Sequence, residues 1–196
     1  MRFRRAGAAD ATAIARLHAD SWRRHYRGAY ADSFLDGDVE ADREQVWTER
    51  LRSAPGESLT VLAEDDAGLV GFGHAVFGSD PTWGALLDNL HVRQRRKRQG
   101  IGSELLGRIA EAVTERGTPL YLWVLEQNLP AQAFYAARGA ECVGRAYVSP
   151  PGGVGARLVG APRKLRFAWS EPAVLLGHRR PAARSSTSSA ARSVPS

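Results

Sequence analysis

The sequence is poor in sulfur and in long apolar runs, and each shortage excludes a class of structure. One cysteine, Cys142, and one methionine occur among 196 residues. A single cysteine cannot form an intramolecular disulfide, and it argues against a metal site built on cysteine, so we expect no metal. We predict that Cys142 is a small buried apolar residue. No apolar run approaches the ~20 residues of a membrane span, and the N-terminus lacks the apolar segment of a signal peptide. These absences predict a cytoplasmic protein without membrane contact.

The net charge of +6 is concentrated in two stretches of the chain. Residues 177–196 contain four arginines and no acid, and residues 93–98 contain five cations, so together they exceed the whole net charge. Local basicity of this kind favours one anion site and a charged tail over a broad nucleic-acid face. Nucleic-acid binding stays an alternative, although aromatic residues are not interleaved with these cations. Because the tail has almost nothing to bury, we predict one domain over 1–176 and a disordered tail over 177–196.

The order of hydrophobic patterns predicts a domain of the α+β class. A first strand and two helices occupy the N-terminal part, and a hairpin follows at 59–65 and 69–77. A strand at 86–92, a helix from Ile101 and a strand at 121–125 then predict a right-handed parallel pair. A further helix near Pro130 and two strands around a Gly/Pro-rich loop end the domain.

The other elements are arranged around the stretch that begins at Leu86. After its strand and the basic run come Gly100 and Gly102, at the start of an amphipathic helix. The first N–H groups of a helix lack internal partners and attract anions, and glycine lets a diphosphate approach them closely. No nucleoside-triphosphate loop or complete dinucleotide fingerprint is present. Capping of the helix by these glycines is the simpler alternative.

Two motifs in this part of the chain carry a family resemblance. Lys97-Arg98-Gln99-Gly100-Ile101-Gly102 resembles the coenzyme A pyrophosphate loop of the GNAT acyltransferases, with Lys97 where the family usually has Arg or Gln. The second signature of that family is matched, in the expected order, by Asn128, Ala131, Phe134, Tyr135 and Gly139. The resemblance covers roughly residues 1–170. It implies the GNAT fold, α+β with a mixed and splayed central sheet flanked by helices, and acetyl-CoA as the co-substrate.

The resemblance also implies which residues bind the coenzyme. Main-chain groups on the central strand would pair with the pantetheine amides, and the loop would bind the diphosphate. Asn128 would bond the pantetheine chain, although it is equally suited to cap the following helix. The predicted coenzyme-binding residues are Leu90, His91, Val92, Lys97, Arg98, Gln99, Gly100, Ile101, Gly102, Ser103, Asn128, Phe134 and Tyr135.

The chemistry requires an acid for the leaving thiolate and a route for the amine proton. Tyr135 matches the family position that protonates the sulfur, and its alternative role is a tyrosine packed in the core. For the base we consider Asp88, with His91 and Glu126 as further candidates, and strand alternation places Asp88 opposite Asn89 and His91. His18 and Tyr26 are predicted to form the substrate wall. The acidic stretch at residues 36–44 is either a solvated face or a site for a cationic amine.

The sequence thus predicts an N-acetyltransferase that transfers an acetyl group directly to a primary amine in a ternary complex. The acceptor would be a small molecule or a peptide, with no membrane or nucleic acid involved, and the protein a monomer or homodimer. A GNAT-like module that binds the coenzyme without turnover is the alternative.

Overall fold

The computed structural model describes residues 1–52 and 56–178. Its helices are α1 (Ala11–His25), α2 (Asp32–Asp36), α3 (Val39–Arg50), α4 (Ile101–Thr114) and α5 (Leu129–Ala136). Its strands are β1 (Arg2–Arg5), β2 (Ser58–Asp65), β3 (Gly68–Asp80), β4 (Gly84–Val92), β5 (Leu120–Leu125), β6 (Glu141–Tyr147) and β7 (Arg163–Trp169). The predicted tail lies outside the described residues except for Gly177 and His178, which end a 3-10 helix, Pro172–His178. Its disorder therefore stays a prediction.

The strands form a single seven-stranded mixed sheet in the order β1-β2-β3-β4-β5-β7-β6. β2 and β3 form the predicted antiparallel hairpin. β4 and β5 are parallel, and every other neighbouring pair among the described strands is antiparallel. The predicted α+β class and the parallel pair around α4 are confirmed. The insertion of β7 between β5 and β6 was not predicted.

The sheet divides where β4 meets β5. Their parallel ladder contains three pairs and ends at Leu87 opposite Leu122. Beyond that point β4 continues to Val92 along β3, while β5 continues to Leu125 along β7. The edge of β4 that faces β5 therefore has free backbone groups from residue 88 onward. This is the splay that the resemblance predicted.

A β-bulge interrupts β4 at the same place. His74 lies opposite Asn89 but Ala75 lies opposite Leu87, so Asp88 is an extra residue in β4. A bulge shifts the alternation of faces by one residue. The Asn89 amide donates to Asp88 Oδ2 at 2.7 Å, so these two side chains are neighbours. The prediction that alternation separates Asp88 from Asn89 is wrong for this reason.

Two layers of helix cover the two faces of the sheet. α4 packs on one face through the residues that the periodicity predicted, Ile101, Leu105, Leu106, Ile109 and Val113, all of them buried. On the other face α1 and α3 pack against Leu62 and Phe72. α4 lies very close to β3, because a Cβ added at Gly73 would be only 2.7 Å from Ile109 Cδ1. At Gly71 an added Cβ would be 3.3 Å from Ile101 Cγ2, so the first residue of α4 also lies against β3.

Cys142 is exposed, so the prediction that it is buried is wrong. It lies on β6, which is the last strand in the sheet order and has one unpaired edge. Every residue of β6 is exposed or half-buried, and Cys142 is among the exposed ones.

Candidate active site

A cavity of about 620 Å³ opens where β4 and β5 separate. Its wall combines the end of α1, the free edge of β4, the loop before α4, the end of β5 and one side of α5. Most of the predicted coenzyme-binding residues lie on this wall: Leu90, His91, Val92, Lys97, Arg98, Gly100, Ile101, Gly102, Ser103, Asn128, Phe134 and Tyr135. Gln99 does not line the cavity. Tyr26 and Asp88 line it as well.

The loop before α4 has the backbone shape of an anion site. Arg98 and Gly100 have positive φ angles of 61° and 83°, which turn the chain into the helix. The first backbone bond of α4 runs from Glu104 N–H to Gly100 O at 3.0 Å. The N–H groups of residues 101–103 therefore have no carbonyl within the helix, and the helix dipole makes this end attractive to anions. This is the end of α4 at which the sequence predicts the diphosphate.

Lys97 contacts a side chain that comes from α1. Its Nζ lies 2.9 Å from Nε2 of His25. Burial lowers the pKa of Lys97, and burial followed by the Lys97 charge lowers the pKa of His25. His25 is therefore a neutral acceptor for the ammonium group at neutral pH. This contact brings the end of α1 to the loop, although the two residues are 72 positions apart.

Asn128 and His91 both have structural partners. Asn128 is the N-cap of α5, and its side-chain oxygen accepts from Ala131 N–H at 3.3 Å, as the capping alternative predicted. His91 Nδ1 lies 2.8 Å from the Ser21 hydroxyl. Burial lowers the pKa of His91 to about 3, so its ring is neutral at neutral pH. Ser21 also lines the cavity.

Tyr135 belongs to both the core and the cavity wall. It is 9% exposed and packs edge-on against Trp169, with the ring centroids 6.1 Å apart. The same residue lines the cavity. Burial raises the pKa of Tyr135, so the phenol keeps its proton at neutral pH and above. The two predicted roles, core packing and proton donor, are compatible in this position.

Asp88 and Tyr26 form the part of the wall nearest to α1 and α3. Asp88 Oδ2 lies 2.6 Å from Nη1 of Arg50, which closes an ion pair between β4 and α3. Tyr26 stacks on Trp22 with centroids 5.2 Å apart. Burial raises the pKa of Tyr26, and the nearby groups of Tyr135 and Asp88 add to this shift. These three side chains therefore share one region of the cavity.

Comparison with known proteins identifies the family of this chain. The model of the acetyltransferase (GNAT) family matches residues 16–140. The chain belongs to the GNAT family. This match confirms the predicted family and enzyme class, an N-acetyltransferase that uses acetyl-CoA as co-substrate. The GNAT fold is confirmed as well.

Individual relatives and solved structures match between half and most of the chain. The chain is 33% identical over 139 residues to the uncharacterized N-acetyltransferase YuaI of Bacillus subtilis. This alignment covers 68% of this chain and 76% of that protein. The chain is 34% identical over 99 residues to the mycothiol acetyltransferase of Actinosynnema mirum, which spans 50% of this chain and 33% of that protein. Among solved structures, the PaiA N-acetyltransferase of Thermoplasma acidophilum in complex with coenzyme A superposes with a TM-score of 0.65. That alignment has 19% identity and covers 86% of this chain and 98% of the other.

His18 does not lie on the wall of this GNAT cavity. It is 2% exposed, and its Nδ1 accepts from Trp47 Nε1 at 3.0 Å. Its ring packs against Trp22 and Phe72, since this face of α1 lies against α3 and the sheet. Burial lowers the pKa of His18, which keeps the ring neutral. The four-residue spacing correctly placed His18 on a helix face, but that face is a packing face.

Most carboxylates of the acidic stretch are bonded within the protein. Asp36 pairs with Arg27, Glu40 with Arg16, and Asp42 with Arg157. Glu44 accepts from the Thr12 hydroxyl at 2.6 Å. Glu126, one of the candidate bases, pairs with Arg145 at 2.8 Å and does not line the cavity between β4 and β5. These contacts favour a structural role for the stretch.

Sequence reasoning missed several residues of the wall. Arg138 donates to the Ser103 hydroxyl at 2.6 Å and stacks on Phe134, with 3.7 Å from Cζ to the ring centroid. Trp123 lines the cavity from β5. Arg138 lies one residue before the glycine of the second signature, and this position was the signal for it. Nothing in the sequence pattern distinguished Trp123 from an ordinary strand residue.

No helix among residues 1–52 and 56–178 has the length and hydropathy needed to cross a membrane. The described residues also contain no group of three or more His, Cys, Asp and Glu side chains placed to hold a metal ion.

Proposed function

We propose that this GNAT enzyme transfers the acetyl group of acetyl-CoA directly to a primary amine in a ternary complex. One observation carries this proposal. The anion loop, the free edge of β4, Tyr135 and Asp88 all line one cavity, so donor and acceptor meet in a common space. Cys142, the only thiol in the sequence, is exposed on β6 and does not line that cavity. Direct transfer needs no thiol of the protein as an acyl carrier.

The coenzyme would extend from the start of α4 into the opening between β4 and β5. Its diphosphate would bind the N–H groups of residues 101–103 beside Lys97 and Arg98. Its pantetheine amides would pair with the backbone of residues 90–92, since that edge lacks a neighbouring strand. Asn128 and Phe134 would contact the same chain from α5. These residues would orient the thioester in the cavity.

In the chemical step, the amine nitrogen bonds to the carbonyl carbon and the carbon–sulfur bond breaks. Tyr135 gives its hydroxyl proton to the departing thiolate and afterwards recovers one from water. Its raised pKa keeps the phenol protonated at neutral pH, so the proton is present when the thiolate forms. Asp88 takes the proton that the nitrogen loses and passes it to water. Tyr26 borders the acceptor on the side of α1.

The test is release of free thiol from acetyl-CoA in the presence of a panel of primary amines. We expect amine-dependent thiol release, with the acetylated amine detected by mass spectrometry in equal amount. Tight coenzyme binding without turnover on any amine would favour the alternative of a non-catalytic module. An acetylated protein intermediate that forms without amine and then transfers its acetyl group would contradict direct transfer.

The nucleic-acid alternative is not favoured by the contacts of the basic run. Arg96 pairs with Asp65, Arg93 Nε donates to Leu69 O at 2.6 Å, and Lys97 contacts His25. Three of the five cations are thus bonded within the fold. The cytoplasmic location and the monomeric or homodimeric state stay predictions from the sequence.

A further inference from the structure

Two cations on β7 face the same side of the sheet as the acceptor end of the cavity. On β5, Leu120, Leu122 and Val124 belong to the core under α4, so Tyr121 and Trp123 face the opposite side. On β7, Leu165, Phe167 and Trp169 pack against that core, so Lys164 and Arg166 face the opposite side too. We call Trp83, Tyr121, Trp123, Lys164 and Arg166 the cation–aromatic cluster.

The aromatic rings hold both cations in place. Arg166 Cζ lies 4.6 Å from the ring centroid of Trp123, 5.2 Å from that of Trp83 and 5.5 Å from that of Tyr121. Lys164 Nζ lies 4.7 Å from the same Trp123 ring. A guanidinium group among three rings has little freedom to move, and its rigid fork is well suited to bind a carboxylate or phosphate.

The two cations lack an acidic partner within bonding distance. Within the described part of the chain, neither side chain forms a hydrogen bond or an ion pair, and Nε of Arg166 is buried without a partner. Burial and the adjacent Arg166 charge lower the pKa of Lys164. The charge of Asp88 on β4 raises the pKa of Lys164, but Asp88 is already paired with Arg50. The charge of Arg166 lowers the pKa of Asp80, whose carboxylate accepts hydrogen bonds from backbone N–H groups. Two like charges held together in this way would be stabilised by an added anion.

Trp123 connects this cluster to the reaction site. It is the first residue of β5 beyond the last parallel pair, as Asp88 is on β4. Trp123 and Asp88 are therefore the first residues of β5 and β4 after the two strands separate, and both line the cavity. The cations stacked on Trp123 are thus next to the place where the acceptor amine would lie. Lys164 and Arg166 do not line the cavity themselves but contact its wall through Trp123, while the charge of Asp88 is already balanced by Arg50.

We propose that the acceptor is a small amine that also carries a carboxylate or phosphate group, and that Lys164 and Arg166 bind this anionic group. This inference rests on the proposed function, because it assigns the acceptor class of that same site. The anionic group would lie against Trp123 on the β7 side, and the amine would lie toward Asp88. The acidic stretch of the N-terminal half then has no part in acceptor binding.

The test compares acceptors that differ only in the anionic group. Thiol release is measured with β-alanine and γ-aminobutyrate against their carboxamides, and with phosphoethanolamine against ethanolamine. The variants are Lys164→Gln and Arg166→Gln. Arg5→Gln is the matched control, since it removes the same charge from an exposed side chain on β1, at the other edge of the sheet. In parallel, γ-aminobutyrate is titrated calorimetrically into the complex of protein and coenzyme A.

We expect the wild type to favour anionic over neutral acceptors by about tenfold or more in kcat/KM, because charge-assisted hydrogen bonds are among the stronger polar contacts. Each β7 variant should reduce this ratio by about tenfold, and Arg5→Gln should leave it unchanged. The carboxylate and phosphate pairs show which anion the site prefers.

Equal use of anionic and neutral acceptors by the wild type would overturn the inference, as would a preference that survives in both β7 variants. If no amine releases thiol, the proposed function fails and the titration decides the inference by itself. Binding of γ-aminobutyrate that is lost in the two variants would then support it. Absence of binding to the wild type would overturn it.

Discussion

Gly102 provides the sharpest test of the coenzyme loop, because the neighbours of a side chain added there are side chains of the cavity wall. A Cβ at this position would lie 3.5 Å from Phe134 Cζ and 3.8 Å from Val92 Cγ2, both ordinary contacts. The φ angle of Gly102 is not in the left-handed region, so a side chain is not strained there. Gly102→Ala should therefore fold and bind coenzyme A nearly as the wild type does.

Gly102→Val adds two methyl groups to a Cβ that already contacts Phe134 and Val92. We expect them to reach into the cavity that Gly102 lines, where the diphosphate would lie against the N–H groups of α4. We expect a loss of coenzyme affinity of about 1–3 kcal/mol, or roughly 5- to 150-fold in Kd. Calorimetric titration of coenzyme A into both variants measures this effect. Thermal unfolding checks that each variant is folded.

Gly100 is a less clean position for the same test. Its φ of 83° strains any residue with a Cβ, so Gly100→Val should lose stability together with affinity. Gly7→Ala serves as the control, because an added Cβ at Gly7 has open space around it. Gly7 precedes the N-terminal end of α1, whereas the cavity is lined by the C-terminal end. If Gly102→Val binds coenzyme A as tightly as Gly102→Ala does, the diphosphate does not bind at this loop.

Three further predictions concern the chemical step. Tyr135→Phe should lower kcat by about 10²- to 10⁴-fold with little change in the KM for acetyl-CoA or in Tm, because the ring and its packing are retained. Steady-state kinetics measures this, and a wild-type kcat without a pre-steady-state burst would exclude Tyr135 as the acid. Since burial raises the pKa of Tyr135 above the ordinary ~10 of a phenol, the acid keeps its proton through that range, and kcat should show no alkaline loss near pH 10. A pH profile with a fall there that Tyr135→Phe removes would contradict the burial argument. Asp88→Asn should lower kcat/KM for the amine by about 10²-fold and leave the Kd of coenzyme A unchanged, whereas Glu126→Gln, outside the cavity, should change neither. Equal amine kinetics in both variants would show that Asp88 acts only through its ion pair with Arg50.

The sequence predicted the elements of the fold because their signals are local. The buried face of α4 follows from the spacing of Ile101, Leu105 and Ile109, and the hairpin from a turn between two apolar runs. The order of the last strands in the sheet has no local signal of this kind. Whether β7 lies beside β5 or outside β6 depends on which pairing buries more surface, and no local pattern records that choice. The exposure of Cys142 on β6 is likewise not marked by any local pattern.

The site was predictable where a motif marked it and not where distant residues meet. The loop residues and Tyr135 were identified from two motifs, and all of them except Gln99 line one cavity. The contacts of Lys97 with His25 and of His91 with Ser21 join residues 72 and 70 positions apart, which periodicity cannot detect. Alternation failed at Asp88 because a bulge adds a residue to β4, and a bulge has no distinctive sequence at this position.

The close packing of α4 on β3 has a consequence for how variants of this protein should be interpreted. A Cβ added at Gly71 would lie 3.0 Å from His91 O and 3.2 Å from Leu105 Cδ1, and one at Gly73 would lie still closer to Ile109. A larger residue at either position would lift the helix or push on β4, although β3 itself does not line the cavity. The position of the amides that we propose bind the diphosphate thus depends on two glycines on a strand that does not line the cavity. Substitutions at Gly71 or Gly73 would resemble binding-site defects in any assay of coenzyme affinity, while their physical origin would be the distance between a helix and the sheet beneath it.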